Sequence, residues 1–418
     1  MTGRSGTIAL LLLLVGCGGS GGSRTPGTSP PPATASQRGD LISITSSTSV
    51  SVAAVNFYRS TLANTYGVDI SALGANRYEI SLHRIVYKTV TPDGRLIDAS
   101  GVVAYPVKSA GASSPMLSYL HGTIFVDSKA PSVASSANPD PVMAALAGSG
   151  FIVVLPDYIG YAESTNETHT YIHAQGLAAS IVDMLRAARR LLINSRVNTN
   201  GQLFLTGYSE GGYATLAAQK EMEQNLPVEF PITASIPAAG SYDVSATVRH
   251  LVGLTTNSFP EYVGFFFKAS DHWYGWNRLS TIFQPPYDTV VANYYDGNQN
   301  DTAIHNALNT DSAALFNTTF RSNFVGSGEL ALKADLSRND IHNWRPVTPT
   351  RLFHGQDDNV VPYFNATNAL AAMTTAGSTS VTVTNCTKPV PGSRGHAECY
   401  WDYLGQVIGW FVPLASDL

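Results

Sequence analysis

Charge is scarce in this chain: only 13% of its 418 residues are Asp, Glu, Lys or Arg, and they sum to a net charge of −5 at pH 7. No run of Lys and Arg supplies the positive footprint that nucleic acid or an anionic membrane surface would meet, so nucleic acid is not an expected partner and a neutral or apolar substrate is. Cysteine is rarer still, at three residues. No stretch has a metal-ligand spacing such as H-E-x-x-H, so neither a metal nor an organic cofactor is expected. What the chain has in quantity is apolar content, 44% of residues. That is ample for a sizeable core, in one large domain or two average ones, and excludes a disordered chain.

The apolar run Ile8 to Val15, behind the single positive residue Arg4, is too short to span a bilayer and reads as the h-region of a signal peptide. It ends in Leu14-Val15-Gly16-Cys17, which looks like a bacterial lipobox, with small residues ahead of a cysteine that is lipidated after cleavage. Residues 1–17 are therefore expected to be a lipoprotein signal, with Cys17 anchoring the mature chain to the cell envelope, facing the periplasm or the exterior. Residues 18–40 are dominated by Gly, Ser, Thr and Pro and predict a flexible tether. Export makes an oxidised pair of Cys386 and Cys399 the expectation, with two buried free thiols as the alternative.

Residues 41–76 predict no more than a helical or lid-like preface. From Arg77 the pattern alternates between β-branched and aromatic residues: Tyr78 to Val90 and Leu96 to Val107, joined by the turn Thr91-Pro92-Asp93-Gly94, predict a hairpin. Continuous apolar runs follow at Met116 to Leu120, Phe151 to Leu155, Leu203 to Thr206, Ile232 to Ile236 and Leu352-Phe353, as expected of strands buried on both faces of a parallel sheet. Helical patterns such as Gly176 to Ile193 separate several of them. The implied fold class is α/β, a mixed and mostly parallel sheet flanked by helices, with its core over residues 77–242 and 347–418. Between them, residues 243–346 lose the alternation and become rich in aromatics, which predicts a helical insertion capping the carboxyl ends of the strands.

Gly207-Tyr208-Ser209-Glu210-Gly211 matches G-x-S-x-G, and so does Gly18-Gly19-Ser20-Gly21-Gly22 in the tether. Context separates the two. Ser209 follows an apolar strand and precedes the helix-like Tyr213 to Met222, the strand, sharp turn and helix that expose a nucleophilic hydroxyl. A serine hydroxyl needs a base within hydrogen-bond reach and an acid to orient that base. His396 lies between the alternating run Ser380 to Thr384 and the helical pattern Tyr400 to Phe411, flanked by Cys386 and Cys399, whose pairing would fasten its loop. Asp357 and Asp358, just past Leu352-Phe353, and Asp243, past Ile232 to Ile236, are the candidate acids. Two amides would form the oxyanion hole: that of Glu210, and that of Thr123 in His121-Gly122-Thr123, where Gly122 lets the backbone approach the substrate. His121 itself reads as a packing residue. The Glu210 carboxylate, placed near the site, would disfavour anionic substrates.

From Arg77 onward these residues, with Pro156-Asp157-Tyr158-x-Gly160, Tyr171 and Trp344 to Gly355, resemble the α/β-hydrolase superfamily and, within it, the secretory-lipase-like esterases and lipases. The resemblance implies that Asp358 is the acid, by its spacing Gly355-x-x-Asp358-x-x-Val361-Pro362, and that Asp157 fixes a loop. It also implies a cofactor-free serine hydrolase acting on small-molecule or lipid esters; a monomer is expected, whose partner besides substrate is the membrane, reached through the Cys17 anchor. The rivals are a serine exopeptidase or oligopeptidase on the same fold and a non-catalytic surface binding protein.

Overall fold

The computed structural model describes residues 36–75, 77–135, 139–387 and 395–418. Cys17 and most of the expected tether, residues 18–35, lie outside them. Residues 36–40, which composition assigns to the tether, instead belong to the folded unit. Arg38 reaches the buried carboxylate of Asp183 at 3.1 Å, and the Gly39 amide donates to the Lys88 carbonyl at 2.8 Å. A tight turn and a linker draw on the same residues, so composition alone does not separate them.

Nine strands form a single sheet: β1 (Leu41–Val50), β2 (Ile80–Val90), β3 (Leu96–Pro106), β4 (Ser113–Leu120), β5 (Ile152–Pro156), β6 (Asn198–Tyr208), β7 (Ala234–Ala238), β8 (Thr350–His354) and β9 (Val381–Asn385). They lie in the order β1-β2-β3-β5-β4-β6-β7-β8-β9, antiparallel from β1 to β5 and parallel from there on. The hairpin falls where the sequence puts it, with Val90 opposite Leu96. Every residue of β5 and of β7 is buried, which is why these strands read as unbroken apolar runs.

The preface is helical in part, over Val52–Asn64, and corrected in its first ten residues. Leu41–Val50 is neither helical nor a lid but the edge strand β1, paired antiparallel to β2 with Val50 opposite Ile80. Its residues from Ile42 to Ser49 are exposed, so Ser and Thr suffice and no apolar run marks it. The helix Val52–Asn64 follows, capped by Ser51, whose side chain accepts from the Ala54 amide.

Between β7 and β8 the chain makes eight helices among the described residues, from Val244–Gly253 to Leu330–Ser337. The triplet Phe265-Phe266-Phe267 holds this cap in place, because consecutive residues on a helix point about 100° apart. Phe267 enters the cap's own core, 5.6 Å from Phe283 and 5.8 Å from Phe320. Phe265 stacks on Tyr171 of the sheet domain at 4.6 Å, and Phe266 lines the cleft between the two layers.

The helix Ala174–Asn194 begins at a histidine that composition would not nominate as a cap. Nδ1 of His173 accepts from the Gly176 amide at 3.2 Å, so the ring is neutral in the fold. Burial pushes its pKa down from 6.5 to about 4. The unfolded chain then binds a proton more readily than the folded one, and stability rises with pH between those two values. Acidification from pH 6.5 towards 4 is expected to cost up to about 3 kcal/mol at this residue. His173→Asn keeps an acceptor at the cap and removes the titration. Urea unfolding midpoints at pH 7 and pH 5 check this, and an identical pH slope in both proteins would show that His173 is not its source.

Candidate active site

Ser209 sits at φ 60° and ψ −120°, a left-handed backbone that a side chain adopts only under strain. The turn is held from both sides. The Ser209 amide donates to the Ala238 carbonyl at 2.9 Å, and the Tyr213 amide donates to the Ser209 carbonyl at 3.0 Å. Close approach explains the glycines around it: a Cβ on Gly207 or Gly211 would overlap the Leu120 carbonyl, and one on Gly212 the Ala238 carbonyl. The second match to the pattern, at Ser20, lies outside the described residues.

His396 stands just ahead of the helix Cys399–Leu414, and the disulfide Cys386–Cys399 ties the first residue of that helix to the end of β9. The ring donates from Nδ1 to Asp358 Oδ2 at 2.6 Å. Asp358 Oδ1 accepts from the amides of Val360 and Val361 at 2.9 and 2.8 Å, and the buried His354 lies 3.3 Å from Oδ2. Burial pushes the Asp358 carboxyl up, but the charge of His396 and the hydrogen bonds from His354 and His396 together hold it below the usual carboxylate range. It therefore stays ionised against the imidazole.

The two other candidate acids lie elsewhere in function. Asp357 is exposed, and Asp243 caps the helix Val244–Gly253 through the Ala246 amide at 3.0 Å while its other oxygen accepts from Asn368. Ser209 and His396 share no hydrogen bond of their own among the described residues. They are joined by Tyr208, the residue before Ser209, whose hydroxyl donates to the His396 carbonyl at 2.6 Å with the two rings 5.1 Å apart. In unliganded hydrolases the bond between nucleophile and base is often long and tightens when substrate arrives.

Two amides are the expected oxyanion donors. That of Glu210 is in the first turn of the helix Glu210–Asn225, where amides have no intrahelical acceptor. Gly122 lies over Ser209, such that a Cβ on it would come 3.8 Å from the Ser209 Cβ. His121 does more than pack. Burial pushes the pKa of its ring down, Nδ1 lies 2.8 Å from the Gly122 carbonyl oxygen, and Nε2 lies 3.3 Å from that of Asp157. Because a peptide is planar, holding that carbonyl fixes the direction of the Thr123 N–H on the opposite side. Thr123 is held further by its hydroxyl, 3.3 Å from the Tyr171 hydroxyl. Asp157 fixes its loop as expected, accepting from Ser100 Oγ at 2.6 Å and the Ser132 amide at 2.7 Å.

Above Ser209 opens a narrow cleft walled by Ile172, Val244, Val248, Leu251, Val263 and Phe266. The cap helices Val244–Gly253 and Pro260–Trp273 supply most of that apolar wall. The Glu210 carboxylate does not stand bare at its edge. Oε1 lies 2.6 Å from Nε2 of His169 in the protein interior, so any repulsion of anionic substrates is weaker than a free carboxylate would exert. His354, His169 and Tyr208 have no signal in sequence spacing, since each acts on a partner chosen by the fold.

A model of the secretory lipase family matches residues 127–255. No curated protein sequence matches the chain. Among solved structures, a ligand-bound form of the rice cell wall degrading esterase LipA from Xanthomonas oryzae superposes with a TM-score of 0.79 at 26% identity, covering 90% of this chain and 98% of that one. A protein from Legionella pneumophila described as a hydrolase gives 0.78 at 26% identity with the same coverage. Candida antarctica lipase A in its closed state, at 15% identity and a TM-score of 0.62 over 88% of this chain and 80% of its own, shares the fold.

Proposed function

We propose that this carboxylic ester hydrolase of the α/β-hydrolase fold works through an acyl-enzyme on Ser209. The observation that supports the reading most is the pairing of the ionised Asp358 with His396 Nδ1 at 2.6 Å, on a loop held beside the strained Ser209 by Tyr208. With Nδ1 committed to donating, Nε2 is the basic nitrogen of the neutral ring.

Ser209 Oγ attacks the ester carbonyl carbon as its proton passes to His396 Nε2. The carbonyl electron pair moves onto oxygen, where the amides of Glu210 and Thr123 receive it. Collapse expels the alcohol oxygen, which takes the proton back from Nε2 and leaves the acyl group on Oγ. Water, deprotonated by the same nitrogen, repeats the sequence and releases the acid. Asp358 remains ionised throughout, and its work is to hold the ring and its tautomer.

The apolar wall of the cleft suits an uncharged acyl group. Among the described residues, Glu210 is the one acidic side chain lining it, and its carboxylate is committed to His169. No acidic side chain of that lining is therefore free to pair with the terminal amine of a peptide. The full chain is expected to be labelled by an active-serine fluorophosphonate and to cleave p-nitrophenyl esters while leaving aminoacyl anilides intact. Anilide cleavage at comparable rates would make it a peptidase, and absence of labelling would favour a binding protein.

A further inference from the structure

The chemistry above uses the backbone of Glu210 and leaves its side chain unexplained. That carboxylate is fully buried, and Oε1 lies 2.6 Å from Nε2 of His169, whose side chain is 3% exposed. The other ring nitrogen settles how many protons the pair holds. Nδ1 of His169 lies 2.8 Å from the Ile159 carbonyl oxygen, which can only accept, so Nδ1 carries a hydrogen. Nε2 then meets the carboxyl group in one of two forms. Either an imidazolium donates to an ionised acid, or a neutral ring accepts from a protonated one. In both forms a single proton lies between Nε2 and Oε1, and the pair is electrically neutral.

The surroundings favour that neutrality. The rings of Tyr161, Phe265, Tyr158 and Tyr171 lie 4.6, 5.4, 6.1 and 6.1 Å from the His169 ring, and Glu210 Oε2 is buried with no hydrogen-bond partner among the described residues. A bare charge among them would carry a desolvation cost that a shared proton avoids. His169 is itself fixed. Its carbonyl accepts from Trp273 Nε1 of the cap at 3.4 Å, and Gly160 lies so close that any Cβ there would overlap the His169 backbone.

We propose that His169 and Glu210, through one shared proton, form a positioning pair that pins the first residue of the helix after Ser209 to the loop and cap behind it, and so aims the Glu210 amide at the developing oxyanion. The pair rests on the reading of that amide as an oxyanion donor. Helix ends lack some of the hydrogen bonds that stiffen helix middles, so a side-chain tether adds to the backbone bonds that hold this one. Both residues are positioning residues, since neither side chain touches the reacting atoms.

The experiment compares kcat and KM on a p-nitrophenyl ester for Glu210→Ala, His169→Ala, the double variant and Glu210→Gln, each normalised to the fraction labelled by fluorophosphonate at Ser209. Each alanine variant is expected to lose roughly 10- to 100-fold in kcat, less than removal of an oxyanion donor itself, with KM within about threefold. The double variant should be no worse than the poorer single one, because the two residues act as one unit. Glu210→Gln, whose amide can donate to a neutral His169, should keep kcat within about threefold of the parent. A role in folding alone would lower the labelled fraction and leave kcat per labelled site unchanged, and that outcome overturns the pair as a positioning device. So does a Glu210→Gln variant as slow as Glu210→Ala. If the parent itself is not labelled at Ser209, the acyl-enzyme reading fails first and takes the pair with it.

Discussion

Ser209→Ala is expected to lower kcat by roughly 10⁵- to 10⁶-fold, the loss that follows when the nucleophile of a triad is removed, and to leave the binding of an uncharged ester nearly unchanged. The two halves of that expectation have separate origins. The hydroxyl is the sole group lost, and the apolar wall from Ile172 to Phe266 is untouched. Alanine tolerates φ 60° no better than serine does, so the turn gains no relief of strain that could rearrange it. The amides of Glu210 and Thr123 stay in place and leave a residual acceleration of roughly 10³- to 10⁴-fold over water. Single-turnover kinetics with a p-nitrophenyl ester and binding of a non-hydrolysable analogue measure the two quantities. A variant that retains a hundredth of the parent activity would place the nucleophile elsewhere.

Asp358→Asn is expected to lower kcat by about 10⁴-fold without unfolding the protein, by enforcing the wrong tautomer of His396. The argument turns on what each oxygen meets. Oδ1 accepts from the amides of Val360 and Val361, so the carbonyl oxygen of an asparagine must take that place and its NH₂ must face His396. Nδ1 then becomes an acceptor, the ring proton moves to Nε2, and no lone pair remains there to receive the Ser209 proton. Rotating the asparagine by 180° would set its NH₂ against two N–H donors. The loss should appear in kcat and in the rate of fluorophosphonate labelling alike, while the thermal unfolding midpoint moves by only a few degrees. Equal labelling rates in parent and variant would remove Asp358 from the relay.

Much of the architecture is legible in short windows of the chain. The hairpin around Pro92 and Asp93, the buried β5 and β7, the elbow at Ser209 and the helical cap all follow from periodicity and turn chemistry within about ten residues. The failures share a cause. β1 escapes notice because an edge strand exposed along its length needs no apolar alternation, and residues 36–40 escape because a turn shares the composition of a linker. In each case the deciding partner, β2 for one and Asp183 for the other, is remote in sequence.

The site divides along the same line. A strained serine between strand and helix is a local property, since the glycines that permit it lie within three residues. Convergence is not local: His396 meets Asp358 across 38 residues, Tyr208 reaches His396 across 188, and His169 meets Glu210 across 41. By itself the sequence determined which residues are chemically able to act and on which element each one rides. Only the packed sheet decided which of them meet, because a hydrogen bond selects partners by distance and angle, and those arise when buried strands and the cap close on one another.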